Sequence, residues 1–226
     1  MKSWFVTKKR PSLEGRLGFV SETRDFSYQF VPKIACTTLK RALFEAETGV
    51  PFDPTSVGCS AHKWTDRNRL GDVFGKKIRL LVVRDPVKRF LSAYSNRVGY
   101  HRELSFEFVS KKFPDVVNDI SVFDPDIDCF VNNLDLYFRV RPIRHHFLTL
   151  RDWIHGIPLT EYSHVYPIEK IIEAQHLVSE VYDRDITFGR FQTGGVKITP
   201  EELSSSTLQK IKEYVRSDYD LLRRFY

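Results

Sequence analysis

The chain has 226 residues, 42% of them apolar and 28% charged, with 18 Phe and 10 Tyr. That length supports one sizeable core and only marginally two, and that balance excludes a largely disordered chain. Lys and Arg exceed Asp and Glu by 35 − 29 = 6; the excess suits anionic partners without choosing among them, and equally suits an ordinary protein kept soluble by its lysines.

Three cysteines, Cys36, Cys59 and Cys129, lie far apart with no CxxC pair. This argues against a disulfide framework or a cysteine-based zinc site and for a reducing, cytoplasmic setting. No apolar run reaches the roughly 18 residues of a spanning helix, and MKSWFVTKKRPSLEG carries no apolar leader segment. The soluble catalytic part of a membrane-anchored enzyme of the secretory pathway would read the same way.

In chain order, Phe26–Val31 (FSYQFV) reads as a strand ending at Pro32. Leu39, Ala42, Leu43 and Ala46 then recur at helical spacing, predicting a helix capped by Thr37 or Thr38 and stopped at Gly49. IRLLVV, from Ile78, is a continuous apolar run, the pattern of a strand buried on both faces of a parallel sheet. It breaks at Arg84-Asp85-Pro86, opening a helix with Val87, Phe90, Leu91, Tyr94 and Val98 on one face, Asp85 as cap and Pro86 at its first position. Leu104–Lys112 and Asp128–Val140 read as helices on either side of a DPDID turn. His164–Ile168 reads as a strand, Glu169–Tyr182 as a helix, and Leu208, Ile211, Val215 and Leu222 as one long terminal helix. Two strand–loop–helix units imply parallel strands. The expectation is a single α/β domain over residues 1–226, with a central parallel sheet flanked by helices and a helical insertion after about residue 100.

Ligands of open parallel sheets sit beyond the carboxyl ends of strands, where helix N-termini favour anions. At such a place, backbone N–H groups of Ile34, Ala35, Cys36, Thr37 and Thr38, the two threonine hydroxyls and the Lys33 ammonium can surround a phosphate. The loop has no glycine and no GxxxxGK[ST] motif; an ordinary turn with a solvated lysine is the alternative. Arg84 leaves the second strand at its carboxyl end and Ser92 follows two helical turns later, so both can grip one phosphate. A pairing of Arg84 with Asp85 or another carboxylate is the alternative there.

Together, PKIACTTLKRAL and LLVVRDPVKRFLSAY closely resemble the sulfotransferases that use 3′-phosphoadenosine 5′-phosphosulfate (PAPS), most nearly the carbohydrate sulfotransferases of the family 2 type. The resemblance implies the P-loop NTPase-like sulfotransferase fold. It implies that the first loop, with Lys33, Thr37 and Thr38, holds the 5′-phosphosulfate, and that Arg84 and Ser92 hold the 3′-phosphate. It also implies sulfuryl transfer to a carbohydrate hydroxyl by in-line displacement, with Lys33 stabilising the leaving phosphate. Related enzymes carry a histidine near the place of His62 in CSAHKWTDRNRLGDVFG, where it serves as the base; a structural or merely exposed histidine is the alternative.

RHHFLTL is similar to a family pattern HFxPQ, with Thr149 and Leu150 in place of Pro and Gln, which makes His145 and His146 the second choice of base and candidate acceptor contacts. In FQTGGVKITP the glycine pair and Lys197 close over the cofactor, or form a surface hairpin. Lys63, Arg67 and Arg69 line an acceptor entrance suited to a carboxylated or sulfated glycan, or else a solvated helix face. Trp64 and Trp153 are candidates to stack on sugar or adenine, and TLQKIKEYVRSDYDLLRRFY resembles the family's terminal helix. The chemistry requires no metal, and HHF at 145–147 is too little for a zinc site.

Two rivals remain. A nucleotide-dependent kinase is disfavoured by the missing Walker A loop, and a non-enzymatic nucleic-acid or anionic-polymer module by dispersed charge and the lack of a nucleic-acid motif. No nucleic-acid partner and no membrane span are therefore expected, and the oligomeric state stays open.

Overall fold

The computed structural model describes residues 18–68, 70–189 and 194–226, without the side chains of 66–68, 70 and 71. It divides into two compact units. The first holds the described chain up to Val31, Cys36–Val82 and Arg151–Gly189; the second holds Pro32–Ala35, Val83–Leu150 and the described residues after Arg190.

The first unit is built on a five-stranded sheet of β1 (Gly18–Val20), β2 (Phe26–Gln29), β3 (Leu70–Gly71), β4 (Ile78–Val83) and β5 (His164–Pro167), in the order β3-β1-β2-β4-β5. The α/β class holds, and β2 runs parallel to β4 with Tyr28 opposite Leu80. The sheet is mixed, however, because β1 is antiparallel to both β2 and β3. With three residues and two, β1 and β3 are too short to show a period-two pattern. Leu80, Leu81, Val82 and Val83 are all buried, which is why β4 carries no polar alternation.

Helix α1 (Cys36–Thr48) buries Leu39, Ala42, Leu43 and Ala46, the stripe its spacing predicts. Gly49 ends it at φ 78°, with its N–H donating to the Glu45 carbonyl at 2.8 Å. On α2 (Ala61–Asn68), Trp64 meets Phe44 edge-on at 5.0 Å and stacks with Phe19 at 6.4 Å. Trp64 is thus core, not a platform for a sugar.

In the second unit α3 (Pro86–Tyr94) starts as expected: Asp85 accepts the Lys88 N–H at 2.8 Å and Pro86 occupies the first turn. It passes directly into a π-helical turn, Ser95–Tyr100. The core beneath it gathers Phe90, Phe130, Tyr137, Ile143, Phe147, Ile211 and Val215, with Phe90 edge-on to Phe147 at 4.8 Å.

Two long predicted helices are broken. The Asp128–Val140 segment forms Ile127–Asn132 and Leu134–Tyr137, interrupted at Asn133 with φ −127° and ψ 31°, and a separate helix Arg141–Phe147 follows. The terminal segment splits at Val215 into α4 (Ser205–Tyr214) and α5 (Arg216–Leu222). Beyond the break, Asp218 is fully buried and accepts the Leu150 N–H at 2.7 Å. No helix among the described residues is long and apolar enough to cross a membrane.

Candidate active site

In the second unit, the loop after β2 solves without glycine a problem usually left to glycine. Lys33 and Ala35 both adopt left-handed backbone, at φ 66° and φ 50°, at a cost of roughly 1–2 kcal/mol each. Two arginines hold that shape by its carbonyls. Arg84 donates to the Lys33 carbonyl at 3.0 Å, and Arg89, only 3% exposed, donates to those of Pro32 at 3.2 Å and Leu148 at 2.6 Å. Arg84 is thus bound to the loop itself; the carboxylate of Asp85 takes the Lys88 N–H and the Tyr219 hydroxyl.

The Lys33 ammonium donates to the Asn96 side-chain oxygen at 2.8 Å, and Asn96 is buried in the π-helical turn. Arg89 and Asn96 were both missed by sequence reasoning. An arginine on an amphipathic helix carries no local mark of burial, and nothing in SNRVGY announces a π turn. Ser92 lies half-buried on α3. Of FQTGGVKITP, residues 190–193 lie outside the described chain. The glycines that follow rest on the π turn: a Cβ on Gly195 would stand 2.4 Å from the Ser95 carbonyl oxygen, and one on Gly194 3.1 Å from the Tyr100 ring. Lys197 is exposed.

His146 is held down to about 2, first by burial and then by Arg97, His145, Lys33 and Arg89. Its Nδ1 is buried with no hydrogen-bond partner among the described residues. An imidazole so reluctant to take a proton is a poor general base, which removes one second-choice candidate for that role. His145 is exposed, its ring edge-on to that of His146 at 5.0 Å. His101, not singled out by sequence, is lowered by partial burial and by Arg97, with Lys33 adding to the effect and Glu103 opposing it.

In the first unit, α1 begins at Cys36, so Thr37 and Thr38 lie inside the first turn and neither is its cap. Thr38 donates its hydroxyl to the Gly189 carbonyl at 3.1 Å. Thr37 Oγ1 lies 3.0 Å from His62 Nε2, and Lys40 Nζ lies 3.2 Å from His62 Nδ1. Both ring nitrogens of His62 thus lie within hydrogen-bond distance of side chains on α1. Lys63 is exposed, with its N–H bonded to Ser60 Oγ at 3.2 Å; the side chain of Arg67 and all of Arg69 lie outside the described residues. No group of His, Cys, Asp or Glu among the described residues is arranged to hold a metal.

The loop and helix just described fall within the span that matches known proteins. Residues 18–121 match the sulfotransferase family. Carbohydrate sulfotransferase 14 of Homo sapiens is 36% identical over 92 residues, covering 37% of this chain and 24% of that protein. Carbohydrate sulfotransferase 14 of Mus musculus gives the same figures. The chain thus spans about a quarter of the length of these curated relatives. No solved structure matches it. The family span contains Lys33, His62, Arg84 and Ser92, and ends before His145, His146 and Lys197.

Proposed function

We propose, from the match of residues 18–121 to the sulfotransferase family, that this chain belongs to it and moves a sulfuryl group from PAPS to a hydroxyl of a carbohydrate. The observation that carries the reading is Lys33, a half-buried ammonium fixed in a left-handed loop by Arg84 and Arg89 and steadied by Asn96. A flexible surface lysine would not be held on so many sides. The donor set suits an anion: a lysine, a forked arginine and the Ser92 hydroxyl.

In transfer the bond between sulfur and the bridging phosphate oxygen breaks while a bond from the acceptor oxygen to sulfur forms, and the acceptor hydroxyl releases its proton. Lys33 neutralises the charge that grows on the bridging oxygen. Arg84 and Ser92 hold the 3′-phosphate and so fix the position of the reacting end. By analogy with phosphoryl transfer, charge stabilisation and alignment outweigh proton abstraction. The reading therefore rests on Lys33 more than on any imidazole. The name of the relatives supports a carbohydrate acceptor, and the positive net charge suits a carboxylated or sulfated one.

The test is product formation from labelled PAPS across a glycan panel, read by mass spectrometry. Lys33→Ala is expected to lower kcat by about 10²–10³, the usual effect of removing one preorganised charge stabiliser. Undiminished turnover in that variant sinks the mechanism. Calorimetry with ATP and with adenosine 3′,5′-bisphosphate guards the substrate class, since tighter binding of ATP reverses the choice in favour of a kinase.

A further inference from the structure

Asn96 holds two neighbours through different groups. Its side-chain oxygen accepts from the Lys33 ammonium at 2.8 Å, and its main-chain carbonyl accepts the His101 N–H at 2.9 Å. His101 thus closes the π turn on the same residue that carries Lys33. Beyond it the chain is pinned by Arg97 and Glu103: the Glu103 N–H donates to the Arg97 carbonyl at 2.9 Å, and the two side chains form an ion pair at 2.9 Å with Glu103 buried. His101 itself is exposed, beside an exposed Tyr100 whose ring meets it edge-on at 5.0 Å. All of these residues belong to the second unit.

We propose that His101 is the general base that takes the proton of the acceptor hydroxyl as sulfuryl transfer proceeds beside Lys33. The proposal rests on the sulfotransferase reading above, which gives Lys33 its role. A base needs a place near the reacting group, access to the acceptor and an unprotonated ring at the working pH. The shared attachment to Asn96 supplies the first and the exposure of the ring the second. For the third, partial burial, then the Arg97 guanidinium and the Lys33 ammonium lower His101 from the usual histidine value, and Glu103 works against them. The adjacent Arg102 is paired with Asp124. In the step, the acceptor O–H bond breaks and its proton passes to a ring nitrogen of His101, while the freed electron pair on oxygen forms the bond to sulfur. The bond from sulfur to the bridging phosphate oxygen breaks, and its electrons leave with the bisphosphate. The exposed imidazolium then gives its proton to water, a release that the same two cations favour.

Two measurements test this on the intact chain. An NMR titration of the His101 ring, made without any ligand, is expected to give a pKa below about 6.5 that rises in Lys33→Ala. An ordinary value, or no response to Lys33→Ala, overturns the assignment. Turnover of labelled PAPS with mixed desulfated glycosaminoglycans as acceptor is the second readout. His101→Ala is expected to lower kcat by about 10²–10⁴, to leave the affinity for adenosine 3′,5′-bisphosphate unchanged, and to remove the acid limb of the kcat profile. Added imidazole is expected to restore part of the rate, which the loss of a merely structural side chain would not allow. Undiminished kcat in His101→Ala, or a loss that imidazole does not relieve, overturns the base. Full turnover in His101→Ala beside a large loss in His62→Ala moves the role to His62. A wild type that sulfates none of these glycans overturns the reading of the reaction itself, and the base with it.

Discussion

Lys33 at φ 66° and Ala35 at φ 50° show what replaces glycine when a left-handed strand-to-helix loop has none: carbonyls tied down from outside. The motif drew attention to the lysine, while the clamps by Arg84 and Arg89 depend on residues about fifty positions away and leave no local signature. The histidines tell a similar story. Nothing in RHHFLTL distinguishes an exposed His145 from a largely buried His146, and burial is the first cause of the depressed pKa of His146. Because His146 is held at about 2 in the fold against about 6.5 unfolded, the unfolded chain binds the extra proton below pH 6.5. Stability from this group is therefore full at neutral pH and lost as pH falls through the window between the two values. A denaturant series at pH 7 and pH 5 should show wild type losing about 1–2 kcal/mol more than His146→Gln. An equal loss in both proteins would remove the buried neutral imidazole from the account.

At the scale of elements, α3 and the π turn after it form one continuous rod, and periodicity alone reads both as ordinary helix. The π turn brings Asn96 to Lys33, and Ser95 and Tyr100 pack under the glycine pair. Two glycines in this region should respond oppositely to alanine. Gly195 has φ 97° and no room beside the Ser95 carbonyl, whereas a Cβ on Gly99 meets nothing within 4 Å. Thermal unfolding should show Gly195→Ala destabilised by about 2–3 kcal/mol and Gly99→Ala neutral or stabilised by up to about 1 kcal/mol. Equal effects would show that the glycine pair does not sit against the π turn. The broken terminal helix follows the same logic: its apolar stripe is continuous in sequence, but the break at Val215 precedes the turn that carries buried Asp218 to the Leu150 N–H.

For the molecule as a whole, a net charge of +6 acts at a distance and is screened over about 10 Å at 0.1 M salt. If the acceptor is a carboxylated or sulfated glycan, its KM should rise severalfold between roughly 50 and 200 mM salt while that of a neutral glycan stays nearly flat. Steady-state kinetics on matched acceptors checks this, and parallel salt curves would place recognition in neutral contacts. By itself the sequence determined the α/β class, the β2–α1 and β4–α3 junctions and the cationic residues at them, because hydrophobic period and capping residues are local and strong. Only the tertiary structure decided the antiparallel strands, the broken helices, the arginine clamps, the Lys33–Asn96 bond and the burial of His146. Those features depend on which groups distant in sequence come within about 3 Å of one another, and hydrogen-bond chemistry at that range is set by packing, not by pattern.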